Sequence, residues 1–344
     1  MRGAHGPATL GAVAVALPAL THPAWADPPL SYLHGFGTRA DPVVALTWGL
    51  LIISIVVSVI MCALVGIGIW RRRVPLSGGP ISLIPVQRGG SGLQWLSWGV
   101  GISTVVLFGA LIWTVVVLAA VGAPPRNAAL TIEVTGQQWW WRVRYLNSDP
   151  SRIFTTAGEI HIPVGQPVRV RLISTDVIHS FWVPALSGKT DTIPGQTNEA
   201  WLQASQPGVY RGQCSEYCGH QHAHMGFDVV AEPADKFNAW MNRQLHPAPA
   251  PASAEIAQGE HLFVYRCGAC HTVRGSGAGG ILGPDLTHLM SRGLLAGDAL
   301  SNNIGDLSAW ILNPQAIKPG AKMPILDLSG PEIQSIRSYL VTLK

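Results

Sequence analysis

Cys214-Ser-Glu216-Tyr-Cys218-Gly-His220-Gln-His222-Ala-His224-Met225 gathers two thiols, three imidazoles and a thioether within one short loop. A further histidine, His179, follows the strand-like run Asp176-Val-Ile-His179-Ser-Phe-Trp-Val-Pro184. Thiolate, imidazole and thioether together form a soft ligand set that suits copper. A single copper would need only one cysteine, two histidines and a weak methionine. The second cysteine, four residues on, suggests two thiolates bridging two copper ions, each capped by one histidine. Zinc would also accept two cysteines and two histidines, although structural zinc sites rarely use a thioether. A Cys214–Cys218 disulfide is the bland alternative in a secreted domain. His220 and His224 read as solvated loop residues, and His161 as a structural strand residue.

The sequence around this loop has a β pattern. LTIEVTGQQWWWRVRY (130–145) and EIHIPVGQPVRVRLISTDVIHSFWVP (159–184) are rich in β-branched and aromatic residues and are interrupted by glycine and proline. Short strands between turn signals, over 126–245, predict a β-sandwich or Greek-key barrel closed by one terminal helix near 234–245. His246 to Ala254 reads HPAPAPASA, and alternating proline continues neither a helix nor a central strand. It is expected to act as a semi-rigid linker and domain boundary. From Glu255 to Lys344 the apolar residues return every three to four positions, which predicts an all-α domain.

Upstream lie two long uncharged runs, LTWGLLIISIVVSVIMCALVGIGIW (46–70) and LQWLSWGVGISTVVLFGALIWTVVVLAAV (93–121). About 20 apolar residues suffice to cross a bilayer, so helices are predicted over 43–70 and 95–121, forming a hairpin within 43–122. Cys62, inside the first, reads as a small packing residue. The 71–94 connection carries Arg71, Arg72, Arg73 and Arg88 and is expected on the cytoplasmic side. Residues 1–26, with Arg2, the apolar LGAVAVALPAL and Ala24-Trp25-Ala26, read as a secretory signal peptide. The two folded domains then face an oxidising exterior such as a periplasm.

The charge agrees. Only 12% of the 344 residues are charged and the formal net charge is +4. Ten basic residues balance ten acidic ones over 126–245, and seven balance seven over 255–344. The surplus lies in residues 1–125, as six arginines against Asp27 and Asp41. There is no basic stripe with interleaved aromatics, which excludes a nucleic-acid binder from the reading.

A second constellation is Cys267-Gly-Ala-Cys270-His271, the C-x-x-C-H signature of covalent c-type haem attachment. Two thiols one helical turn apart reach the two haem vinyl groups, and the adjacent histidine faces the iron. The second axial ligand must lie downstream. Met323, in Lys318-Pro-Gly-Ala-Lys-Met323-Pro324, is the candidate, with His288 and Met290 as rivals. Methionine opposite histidine raises the reduction potential.

The DVIHSFWVP, KTDTIPG and CSEYCGHQHAHM segments, behind two apolar helices, resemble subunit II of haem-copper cytochrome c oxidases over about residues 40–245. KPGAKMP and Gly283-Pro-Asp-Leu286 similarly resemble class I cytochromes c. The combination resembles the caa-type oxidases, whose subunit II carries a fused cytochrome c. The resemblance implies a two-helix transmembrane hairpin, then a cupredoxin-like β-sandwich with Greek-key connections, then an all-α class I cytochrome c domain. It implies a dinuclear copper A centre held by His179, Cys214, Cys218, His222 and Met225, with Glu216 ligating through its backbone carbonyl. The Glu216 carboxylate would also reach a magnesium ion shared with subunit I, near Asp191. Electrons would enter the copper centre through Trp139, in Gly136-Gln-Gln-Trp-Trp-Trp141. The haem would be bound by Cys267 and Cys270, with His271 and Met323 as axial ligands.

The expected function is that of a terminal oxidase subunit in a bacterial inner membrane. It would take electrons from an external cytochrome c or bc-type complex, with subunit I and subunit III as partners. Oxygen reduction and proton pumping would belong to subunit I, because this chain shows no open catalytic position. The rival expectation is the electron-accepting subunit of a copper A-containing nitric oxide reductase. One departure stands out: no acidic residue lies between Asp41 and Glu133, where many relatives have a glutamate near the second helix.

Overall fold

The computed structural model describes residues 30–71, 92–122, 127–128 and 130–344. The expected signal peptide at 1–26 and Arg72, Arg73 and Arg88 of the basic connection lie outside the described residues. Helices α1 (Asp41–Trp70) and α2 (Gly92–Gly122) pair as a hairpin, and α2 begins three residues before the predicted start. Uniformly apolar helices have no reason to prefer one buried face: α1 buries no side chain in the chain and α2 only Val117. So much exposed apolar surface is a membrane-contact signature, and both helices are long and apolar enough to cross a bilayer. At Gly49 the absent side chain leaves room for the Trp113 ring, since a Cβ there would sit 2.4 Å from Trp113 Cη2.

Ten strands follow: β1 (Leu130–Gln137), β2 (Trp140–Leu146), β3 (Phe154–Ala157), β4 (Glu159–Pro163), β5 (Val168–Ser174), β6 (His179–Trp182), β7 (Thr190–Thr192), β8 (Asn198–Leu202), β9 (Gly208–Cys214) and β10 (Gly226–Glu232). They form two five-stranded sheets, ordered β3-β2-β1-β5-β8 and β4-β10-β9-β6-β7. The pairs β1–β5 and β4–β10 are parallel and the rest antiparallel. Strand alternation fills the space between the sheets: Val168, Val170 and Leu172 of β5 are buried while Arg169 and Arg171 face outward. Ile132, Val143, Ile160, Leu202, Phe227 and Val229 complete much of this core. The fold is a cupredoxin-like β-sandwich, and helix α3 (Ala234–Leu245) closes it with Phe237 and Trp240 buried.

The sandwich is tied to the hairpin. Arg39, 8% exposed, donates to the Val121 and Trp201 carbonyls and lies over the Trp201 ring. The segment before α1 also joins the sandwich edge, through Phe36 N to Ala185 O (2.8 Å) and Ser205 N to Phe36 O (2.7 Å).

The second domain contains α4 (Ala254–Arg266), α5 (Ile304–Leu312), α6 (Pro314–Ile317) and α7 (Gly330–Leu340), with a two-residue ribbon of β11 (Leu294–Leu295) and β12 (Leu300–Ser301). Ser253 caps α4 by accepting from Ile256 N, and Ser329 with Glu332 forms a capping box on α7. Gly259 of α4 lies against the backbone of α7, so the two helices cross closely. Phe263, Leu307, Ile311, Ile336, Tyr339 and Leu340 form the core beside that crossing.

The Pro/Ala segment at 246–254 is pinned rather than free along its first half. Ala248 N donates to Arg274 O (2.8 Å), and the His246 carbonyl lies 3.1 Å from His288 Nε2. Arg274 in turn donates to the Gln244 and Leu245 carbonyls of α3. The proline-rich stretch, unable to bond to itself, is held by the domain it precedes.

Candidate metal centres

Strands β9 and β10 pair antiparallel and end in the loop 215–225, which Cys214 N closes by donating to Met225 O at 3.1 Å. Strand β6 lies beside β9 with Phe181 opposite Cys214, so His179 at its start comes alongside the loop. Five side-chain donor atoms then form a chain of contacts. His179 Nδ1 is 3.9 Å from Cys214 Sγ, which is 3.8 Å from Cys218 Sγ. Cys218 Sγ is 3.6 Å from His222 Nδ1 and 3.8 Å from Met225 Sδ. The Glu216 carbonyl is 3.3 Å from Cys214 Sγ. Two sulfurs at 3.8 Å are far beyond a disulfide bond of about 2 Å, so the loop holds two free thiols.

The donor set fits a soft metal pair on its own chemistry. The ligand atoms of His179, Cys214 and Cys218 lie within 4.8 Å of one another, all three residues buried. Sharing one proton between neighbours, Cys218 hydrogen-bonds to Cys214 and holds that thiol well below its usual range. The same pairing, with burial, pushes Cys218 up. His179 Nε2 contacts Asp176 Oδ1 at 2.8 Å, leaving Nδ1 toward the sulfur. Such an outer partner fixes the tautomer and direction of a ligating imidazole. Burial would raise the Asp176 carboxyl, but hydrogen bonds from His179, the Gln138 and Val177 amides and Lys322 outweigh it and hold it well below the usual range.

Sequence reasoning missed Asp176, although an acidic residue three positions before a candidate ligand histidine was a usable signal. It also missed Gly136. A Cβ on that residue would lie 2.7 Å from His179 Cδ2, so only glycine leaves the imidazole its place. Trp141, fully buried, donates to the Met225 carbonyl (3.2 Å) and packs edge-on against His179, Phe181 and Phe227. Trp139 is 8% exposed, and its indole N–H donates to the Cys218 carbonyl at 3.0 Å.

The remaining loop residues separate by role. His224 Nδ1 contacts Gln221 Oε1 (2.9 Å) and stays outside the sulfur cluster. His161 is held between Glu159 (2.6 Å) and Glu232 (2.9 Å) and stacks on Trp240, a structural arrangement. Glu216 and Asp191 both lie 3.6 Å from Lys189 Nζ near the surface.

In the second domain, Cys267, Cys270, His271 and Met323 line one cavity of about 520 Å³. Its walls include Leu282, Leu286, Leu295, Ile311 and Leu340, an apolar lining suited to a flat apolar group. His271 Nδ1 lies 2.8 Å from the Pro284 carbonyl, which leaves Nε2 to ligate. Burial lowers the His271 pKa, keeping the imidazole in the neutral form that binds metals. Burial also pushes the Cys267 thiol up to about 11. Gly283 lies so close to the His271 ring that a Cβ would come within 2.6 Å of it. Arg292 lines the cavity and its Nε is buried without a hydrogen-bond partner, a donor suited to a haem propionate. The rival ligand His288 engages both ring nitrogens, with the Lys344 and His246 carbonyls, and neither it nor Met290 lines the cavity. These residues fit a covalently attached haem.

Trp139 and Trp140 line the same cavity from the sandwich side. Trp139 therefore stands between the two candidate centres: it borders the cavity and its N–H meets the carbonyl of Cys218 in the two-thiol loop.

Residues 145–232 match the family described as cytochrome C oxidase subunit II, periplasmic domain, and residues 256–344 match cytochrome c. The chain is 41% identical over 215 residues to a cytochrome c oxidase subunit 2 of Alkalihalophilus pseudofirmus, covering 62% of this chain and 61% of that protein. It is 33% identical over 227 residues to a cytochrome c oxidase subunit 2 of a Bacillus species, covering 62% of each. The chain thus spans about six-tenths of the length of these curated relatives. Among solved structures, it is similar to the periplasmic domain of subunit II of cytochrome oxidase of Bradyrhizobium japonicum. That match has 34% identity and a TM-score of 0.32, and covers 36% of this chain and 96% of that one.

Proposed function

With a subunit II periplasmic domain and a cytochrome c domain joined in one chain, we propose that the protein is the electron-accepting subunit of a terminal cytochrome c oxidase. It would sit in a bacterial inner membrane by its helical hairpin, both redox domains on the periplasmic side. Electrons would arrive from an external cytochrome c or bc-type complex at the cytochrome domain. They would leave from the sandwich domain to a haem-copper subunit that reduces oxygen to water and pumps protons, with subunit III completing the assembly. The names of the curated relatives favour this over a nitric oxide reductase.

Bound at these sites, haem c and a dinuclear copper A centre each supply a one-electron couple. The chain's own residues do the rest. Cys267 and Cys270 would anchor the haem, and His271 and Met323 would ligate its iron. His179, Cys214, Cys218, His222, Met225 and the Glu216 carbonyl would hold the copper pair. Asp176 orients His179, and the apolar walls of the cavity keep water from the haem. The Glu216 carboxylate, now beside Lys189, would be the chain's contribution to a magnesium ion at the face toward subunit I.

The observation that carries this reading is Trp139, which borders the cavity of the second domain and bonds to the loop of the first. Absorption spectra of the purified chain test it. A near-infrared copper A band and a c-type haem band are both expected. Cys218→Ser should abolish the first and keep the second, and survival of the near-infrared band in that variant overturns the copper assignment.

A further inference from the structure

The joint between the two domains centres on one buried cation. Lys318 is 3% exposed, and its ammonium donates three hydrogen bonds, all to main-chain carbonyls. Two acceptors belong to the sandwich, Trp139 O at 2.7 Å and His224 O at 2.6 Å. The third, Ala296 O at 2.7 Å, belongs to the cytochrome domain. An ammonium has three donors and no acceptor, so its capacity is fully used. Among the described residues it makes no ion pair, and a buried ammonium is costly unless hydrogen-bonded. Two of its three partners exist for it only when the domains are docked.

Other contacts converge on the same place. Ala296 and Gly297 both have left-handed backbone, φ 54 and φ 84. For alanine that conformation is strained, and the Lys318 bond to its carbonyl helps hold it. Gly297 admits the sandwich backbone closely: a Cβ there would lie 2.7 Å from His224 O and 2.9 Å from Lys318 Nζ. Asp298, next in line, pairs with Arg211 of β9. Gln221 of the copper loop donates to Pro319 O at 2.9 Å, and Lys322 lies 3.1 Å from Asp176, the partner of His179. Lys318 and Met323 belong to one loop, so whatever fixes Lys318 also fixes the cavity wall beside Trp139.

We propose that Lys318 is a positioning residue that clamps the Met323 loop of the cytochrome domain to the main chain of Trp139 and His224. It holds the haem cavity and the copper loop in one fixed register, with Trp139 covered by the chain's own cytochrome. As a device for electron passage this rests on the function proposed above; as a docking clamp it stands on the contacts alone. No bond is made or broken in its action. With both groups bound, one electron would leave the haem and arrive at the copper pair, and Lys318 would set only the geometry.

The test uses the full chain in detergent with both metals loaded. Lys318→Met keeps an unbranched side chain one atom shorter and removes its donors. Hydrogen exchange at residues 294–298 and 136–141 is expected to speed by about tenfold or more as the joint opens. Electron passage from photoreduced haem to copper should slow by about tenfold or more, because the rate falls steeply as the two centres lose their fixed placement. Both metal bands should stay as in the parent. Unchanged exchange and rate with both bands intact overturns the proposal. Should Lys318→Met not accumulate, Lys318→Gln, too short to reach three carbonyls, is expected to loosen the same segments, and parental protection in it overturns the clamp. A parent chain without the near-infrared band sinks the proposed function instead, while the exchange measurement still reads the clamp.

Discussion

Gly136 shows how a single missing side chain shapes the first centre. It lies in β1, opposite the His179 imidazole, with no room for a Cβ. Gly136→Ala is expected to push the ring off Cys214 and destabilise the sandwich by about 1–3 kcal/mol, the usual range for overpacking. Copper titration followed in the near infrared should then show weaker binding, with the haem band unaltered; parental affinity would contradict this role. The candidate ligands inside the loop were legible because their spacing is local. Cys214 and Cys218 lie four apart, and His222 four further, within one hairpin tip. Gly136 was not legible, because only the β1–β5 and β6–β9 pairings bring it under a histidine 43 positions later.

Among the elements of the second domain, α4 and α7 cross closely. A Cβ on Gly259 would come within 2.3 Å of Ser335 O, and backbone cannot rotate away as a side chain can. Gly259→Ala should separate the helices and cost about 1–3 kcal/mol, read as a lower melting temperature of the haem domain with the copper band unchanged. An unaltered melting temperature would count against the close crossing. The helices themselves were readable from three-to-four periodicity, and the β domain from alternation and turn residues. The two membrane-length helices were plain because no charge interrupts them. Their pairing through Gly49 and Trp113, and the Arg39 tie to Trp201, depend on contacts across 64 and 162 positions.

At the scale of the whole molecule, the two domains meet along several bonds, and one of them titrates. Glu159 of β4 accepts from Gly293 N of the cytochrome domain at 3.0 Å and contacts His161. Burial would raise its carboxyl, but the bonds from His161 and Gly293 and the charges of His161 and Arg292 hold it below the usual value. A depressed folded pKa means that the docked form binds fewer protons. The contribution is fully present above the unfolded value of about 4.3 and is lost as pH falls through the lower folded value. Protection of amides 292–294, taken relative to intrinsic exchange at each pH, should thus be steady from about pH 7 to 5 and fall in stronger acid. Glu159→Gln should remove that acid step; an identical step in the variant would place its origin elsewhere.

Sequence alone determined most of the candidate donors at both centres, since a hairpin tip of soft side chains and a C-x-x-C-H run are made of neighbours in the chain. It also determined the membrane-length helices and the neutral charge of each exterior domain, both properties of local composition. The tertiary structure decided how those parts face one another. Trp139 and Lys318 are 179 positions apart, and nothing in their local sequence announces a shared hydrogen bond. They meet because two separately closed cores, one a sandwich and one a helical cluster, leave complementary main-chain carbonyls and a buried ammonium at their common boundary.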